Sequence, residues 1–157
     1  DGGNEKVLAG PVAGQEVGVF SAPLRQTALL RSAQTNLLAI AHADGSVETV
    51  QLDEDGTLLS STVISAPPRI ATGVVLLPIT GGALLGFALS APAFEAGARG
   101  VAIGLDGVPV GSEARLSETA AVEQPLAALA AANGGGGEVW YGEATQLQKL
   151  SMSCLPP

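Results

Sequence analysis

A single histidine, a cluster of acids beside two turns and a glycine tract are the places where this chain could do chemistry. His42, the only histidine, sits in Ala39-Ile-Ala-His-Ala-Asp44. With Asp44 to orient its imidazole it has the makings of a general base for a serine nucleophile brought from elsewhere in the fold. The sequence contains no Gly-x-Ser-x-Gly elbow, however, and nominates no particular serine. The plainer reading is a histidine at a strand end beside a turn, and no catalytic residue is assigned.

Asp44, Asp53, Glu54 and Asp55 gather near two successive turns, which an antiparallel pair could bring within reach. Calcium takes several carboxylate and carbonyl oxygens around a tight turn. An EF-hand-type loop would close on a glutamate, and Thr57–Ser61 offers no such ligand. Aspartate also favours turns and keeps strand edges soluble, so no metal ligand is assigned. The run Gly134–Gly137 lacks the Lys-Ser or Lys-Thr and the helix that a phosphate-cradling loop needs. Glu138-Val-Trp-Tyr141 follows it with an acid and a strand pattern, so the glycines read as a turn and no cofactor is expected. Glu138 and Glu143 are too generic a carboxylate pair for acid–base roles. Trp140 and Tyr141 point to opposite faces of a strand, and the exposed one could anchor a sugar or a partner protein.

Composition narrows the elements that must hold these residues. Of 157 residues, 46% are hydrophobic and only 14% charged, against a usual charged share of about 25%. A disordered chain is excluded, since that needs low hydrophobicity and high charge. The length suits a single domain over 1–157. Aromatics are only 3% (Phe20, Phe87, Phe94, Trp140 and Tyr141), so the core must be built from Val, Leu, Ile and Ala. The net charge is −8, and Lys6, Arg25, Arg31, Arg69, Arg99, Arg115 and Lys149 are scattered singly. Nucleic-acid binding needs clustered cations and is rejected. An anionic membrane surface is disfavoured on the same ground.

From Ile70 to Phe94 there is no charged residue, a stretch long enough to span a bilayer as a helix. Pro78, Gly81-Gly82 and Pro92 cut it into Val74–Leu77 and Ala83–Leu89, each of strand length. Two buried strands joined by a glycine turn are expected, not a membrane span.

Three segments share one layout of strand, turn, strand, turn, strand. The first is Leu37–Ala43, Asp44-Gly45, Ser46–Leu52, Asp55-Gly56 and Thr57–Ser65. The second is Ala83–Ser90, a longer loop, Gly100–Leu105, Asp106-Gly107 and Val108–Ser117. The third is Leu126–Ala132, Asn133 with Gly134–Gly137, Glu138–Glu143 and Gln146–Met152. Asp-Gly and Asn-Gly are strong hairpin signals, read here as type I′ turns. Val101, Ile103 and Leu105 alternate with Ala102 and Gly104, giving a sheet one large-residue face. Gly73–Leu77 and Glu16–Ser21 could supply fourth strands or part of an earlier blade. A rival helix over Ser117–Ala132 is interrupted by Pro125. Strand starts recur at about 40 to 50 residues, the period of propeller blades. The expected fold is all-β, with about three to four propeller-like blades, or a β-sandwich of the same hairpins.

The stretch Ala98-Arg-Gly-Val-Ala-Ile-Gly-Leu-Asp-Gly-Val-Pro-Val-Gly-Ser-Glu-Ala-Arg-Leu-Ser-Glu118 resembles repeats of secreted bacterial propeller-like proteins, and Leu52-Asp-Glu-Asp-Gly56 resembles their turn. In that family a strand ends in Leu-Asp-x-Asp-Gly and the next runs through Pro-x-Gly to Arg-Leu-Ser. The aromatic residues of the family's first strands are absent here. The resemblance implies an exported, extracytoplasmic protein, and its motifs are structural, not catalytic. Asp1 in place of Met is expected to reflect processing or a fragment.

The expected function is a non-enzymatic structural or protein-interaction subunit. The alternatives are a hydrolase or lyase with a ring-centre site built from His42 and the Asp44–Asp55 acids, or a carbohydrate-binding module. About three and a half blades leave two faces uncovered, so a protein partner is expected to complete the stack. Cys154, alone in the sequence, would suit an intermolecular disulfide in an oxidising compartment.

Overall fold

The computed structural model describes residues 6–9, 15–19, 23–32, 35–117, 127–130, 136–143 and 146–153. Among them every regular element is a strand. β1 (Lys6–Ala9) and β2 (Gln15–Val19) form a two-stranded hairpin. β3 (Leu24–Arg31), β4 (Asn36–His42), β5 (Val47–Leu52) and β6 (Leu58–Ser65) form a four-stranded antiparallel meander. A second meander follows, of β7 (Ile70–Ile79), β8 (Gly82–Ala91), β9 (Gly97–Gly104) and the short β10 (Ala114–Arg115). β11 (Ala127–Ala130), β12 (Gly136–Glu143) and β13 (Gln146–Ser153) make a three-stranded third.

The three meanders stack face to face in chain order, and the side chains of β8 show how. Ala83, Leu85, Phe87 and Leu89 join Leu37, Ala39, Ala41 and Val47 of the preceding sheet in one buried cluster. Ala88, on the opposite face, packs with Val75, Ala98 and Val139, the last from the following sheet. The period-two alternation of a strand thus feeds two cores, so the middle sheet has a sheet on each face. Phe87 is the only aromatic among the described buried side chains. The first strand of the middle sheet, β7, lies against β3 and β4 on one side and against β11 and β12 on the other.

The uncharged run is β7 and β8. They pair from Ile70↔Ala91 to Ile79↔Gly82 around a two-residue turn, Thr80-Gly81, with Gly81 at φ 79°. Among the described residues no helix is long and apolar enough to cross a membrane. The strand runs through Pro78 instead of stopping there. β7 is an edge strand in its sheet's hydrogen-bonding order, where a missing N–H is tolerated.

The Asp-Gly turns differ from expectation. His42 C=O accepts from Gly45 N at 3.0 Å and His42 N donates to Ser46 O at 2.9 Å. The same pair of bonds recurs at Asp53–Thr57 and at Gly104–Val108. These are three-residue loops, a type I turn closed by a left-handed glycine (Gly45, φ 92°; Gly56, φ 85°; Gly107, φ 78°), not type I′ turns. An aspartate locks each one: Asp44 Oδ1 accepts from Ser46 N, Asp53 Oδ1 from Thr57 N and Asp106 Oδ1 from Val108 N, at 2.7 to 3.0 Å.

Four further observations concern the repeats. The extra strand of each four-stranded sheet comes first: Gly73–Leu77 lies within β7, and β3 fills that place in the preceding sheet. Glu16–Ser21 overlaps β2, which pairs with β1 in a separate sheet earlier in the chain and is not the fourth strand of a meander. The expected strand Val108–Ser117 shrinks to Ala114–Arg115 and an isolated bridge between Ile103 and Pro109. The rival helix is displaced at Ala127–Ala130 by β11, and residues 118–126 and 131–132 lie outside the described residues.

Candidate functional site

His42 ends β4 on the face it shares with Leu38 and Ile40. Its side chain is buried, and its Nε2 lies 3.0 Å from Glu48 Oε2. Glu48, opposite Ile40 on β5, is therefore the carboxylate that orients the imidazole. Asp44 is engaged elsewhere, accepting from both Ser46 N (2.8 Å) and Ser46 Oγ (2.7 Å). Those two bonds, with a smaller contribution from the nearby His42, hold the Asp44 carboxyl below its ordinary value of 3.8. The His42–Asp44 pairing expected for a general base is thus replaced by His42–Glu48. The buried serine of β6, Ser65, stands opposite Val47, on the face turned away from His42.

The acids do not converge. Asp44 lies in the β4–β5 turn and Asp53, Glu54 and Asp55 in the β5–β6 turn, at opposite ends of β5. Six residues of strand separate them by about 20 Å. Successive turns of a meander always alternate ends, so the proximity expected from sequence fails on topology. Among the described residues no group of three metal-ligating side chains forms.

A charge network that sequence reasoning missed stands at one end of the middle sheet. Arg69, in the β6–β7 connection, meets Glu113 through both terminal nitrogens, at 2.8 and 2.5 Å. Its Nε lies 2.7 Å from Glu95 Oε2, and its guanidinium sits 5.7 Å from the Phe87 ring centroid. Arg99 approaches the same Glu113 oxygen at 3.8 Å. The hydrogen bonds to Glu113 are the main reason Arg69 is held more firmly protonated than usual. The network joins three connections and is internally neutral, which suits a lock for the sheet's end. One signal was present: Arg69 and Glu95 bound the uncharged run, and folding that run at its glycine pair brings its ends together.

On β12, Trp140 and Glu138 share the face opposite the core residue Val139. Trp140 Nε1 donates to Glu138 Oε2 at 3.1 Å, and Lys149 Nζ reaches Glu138 Oε1 at 2.9 Å while lying 5.5 Å over the indole. The Lys149 hydrogen bond, helped by its charge and by Trp140, lowers the Glu138 pKa from 4.5. Leu147, on the same face, is 70% exposed. Among the described residues this is a mixed aromatic, apolar and charged surface, with Glu138 its one acid. The side chains of Tyr141 and Glu143, and Gly134, Gly135 and Cys154 altogether, lie outside the described residues. Gly136 and Gly137 belong to β12 and form no loop.

A shallow groove of about 290 Å³ runs between β3 and β7, lined by Gln26, Thr27, Ala28, Leu29, Val74, Val75 and Leu76. Its polar groups are partly spent in joining the sheets, since Gln26 Oε1 accepts from Val74 N at 3.3 Å. Nearby, Arg25 donates to the carbonyls of Ala71 and Ala43. The described polar groups of these regions are largely committed to holding sheets and turns together. The chain matches no protein-family model, and no curated protein matches its sequence.

Proposed function

We propose that this chain is a non-enzymatic, exported structural or interaction unit built of propeller-like blades. The observation that carries the reading is the stacking of successive antiparallel meanders in chain order, with β7 beside both β3 and β11. Blades of four antiparallel strands arranged about their first strands are the build of a propeller. A middle sheet covered on both faces favours this over a two-layer sandwich. The turns Leu52-Asp-Glu-Asp-Gly56 and Leu105-Asp-Gly107 both join third to fourth strands, which supports the repeat resemblance and, through it, the exported location. Interaction, not turnover, fits the way His42, Asp44 and Glu138 are held by neighbouring side chains.

The test is turnover of ester, glycoside and peptide substrates by the full chain and by His42→Ala. No turnover attributable to the chain is expected, and binding of any partner should survive the substitution. A measured activity that falls by about a hundredfold or more in a folded His42→Ala protein would place His42 in acid–base chemistry and sink the proposal.

A further inference from the structure

β6 is the outer strand of the β3–β6 sheet and has β5 on one side only among the described strands. Its eight residues, Leu58-Leu-Ser-Ser-Thr-Val-Ile-Ser65, carry no charge. Leu58, Leu59 and Val63 are 50%, 56% and 64% exposed. Edge strands present unpaired N–H and C=O groups, and proteins usually guard them with short length, charge or cover. The other described edges follow that rule. β10 has two residues, one of them Arg115. β13 carries Lys149, β3 carries Arg25 and Arg31, and β7 lies under β3 and β11. Of the longer edges among the described strands, β6 alone is both uncharged and open.

We propose that β6 pairs antiparallel with β6 of a second copy of this chain, about a two-fold axis at Ser61. That register sets Leu59 opposite the second copy's Val63, and the reverse, so the exposed apolar side chains cover one another twice. Leu58 then faces Ile64, Ser60 faces Thr62, and Ser61 faces Ser61. Charge selects the orientation. The acidic turn Asp53-Glu54-Asp55 adjoins the start of β6. Parallel pairing would set the two acidic turns side by side on chains that each carry −8. Antiparallel pairing holds them apart by the strand's length, about 27 Å. Backbone pairing is also uninterrupted at the centre, where Ser60, Ser61, Thr62 and Val63 meet Gln51, Val50, Thr49 and Glu48 without a bulge.

This names a partner for the interaction unit proposed above and rests on that reading for its use in the cell. The edge geometry stands on its own. Sedimentation velocity on the full chain tests it, with Val63→Lys and, as a control at a remote exposed site, Leu147→Lys. The expected result is a dimer for the wild type and Leu147→Lys, with Val63→Lys weakening it at least about tenfold. In a Cys154→Ser background, Ser61→Cys should form a disulfide dimer on mild oxidation, because directly opposed residues bring their Cα atoms within bridging range. A monomer at all concentrations overturns the proposal. So does a dimer that Val63→Lys leaves unchanged, or one that Ser61→Cys does not cross-link. If Val63→Lys fails to fold, Ser61→Cys decides. A monomeric wild type that still binds another protein would end the β6 pairing and leave the interaction reading standing.

Discussion

Thr49 Oγ1 donates to the Gly107 carbonyl at 2.7 Å, tying the middle of β5 to the β9–β10 turn of the next sheet. Both residues are buried, and a Cβ on Gly107 would come within 3.1 Å of that hydroxyl oxygen. The bond therefore fixes how two consecutive sheets seat on each other. Thr49→Val keeps the shape and strands a buried acceptor. It should lower stability by about 1–3 kcal/mol. In urea unfolding, the midpoint should fall with no change of slope.

Turn glycines divide by what surrounds them. Gly45 and Gly81 both have positive φ, but an added Cβ at Gly45 lies 2.7 Å from Ile70 Cα, while at Gly81 it meets nothing within 4 Å. Gly81→Ala should cost the conformational term alone, about 1–2 kcal/mol. Gly45→Ala should cost more, because the turn must also retreat from β7 and loosen the bond from Ala71 N to Gly45 O at 2.9 Å. Thermal unfolding of the two variants side by side checks the order. Equal losses would refute the close docking of this turn on β7.

The depressed Asp44 pKa gives an acid dependence with a defined sign. Its folded value lies below the ordinary 3.8, so its contribution is fully present above that value and is lost as pH falls through the lower folded one. Asp44→Asn keeps an oxygen to accept from Ser46 and removes the titration. The variant's unfolding midpoints between about pH 5 and pH 2 should fall less steeply than the wild type's. Because Asp44 is exposed, the difference is expected to be small.

Strand content is the coarsest check and the quickest. Far-ultraviolet circular dichroism should show strand exceeding helix several-fold. A helix-dominated spectrum would contradict both the sheet assignment and the β7–β8 hairpin.

What the sequence disclosed follows from how local each feature is. β4, β5 and β6 fall where Asp44-Gly45 and Asp55-Gly56 place them, because a turn residue and period-two alternation act over a few residues. β3 escaped notice: leucines lie on both its faces, with Leu30 against the cluster of Leu37 and Ala39, Leu24 against Leu38 and Ile40, and Leu29 exposed, so its alternation carries little contrast. Beyond Gly107, the short β10 reflects Pro109 and Gly111, which weaken a strand in ways the Asp-Gly signal hid. The site lay further from reach. Glu48 orients His42 across a hairpin, and Arg69 meets Glu113 across 44 positions, contacts that only the sheet order brings about.

In-situ cross-linking of the tagged protein, read by mass spectrometry after fractionating the cells that make it, tests whether the chain is an exported interaction unit. The chain should be recovered outside the cytoplasm, covalently joined to protein through surface side chains, and His42→Ala should give the same adducts. A chain found only in the cytoplasm, or one that stays uncross-linked and monomeric in place, would contradict that reading.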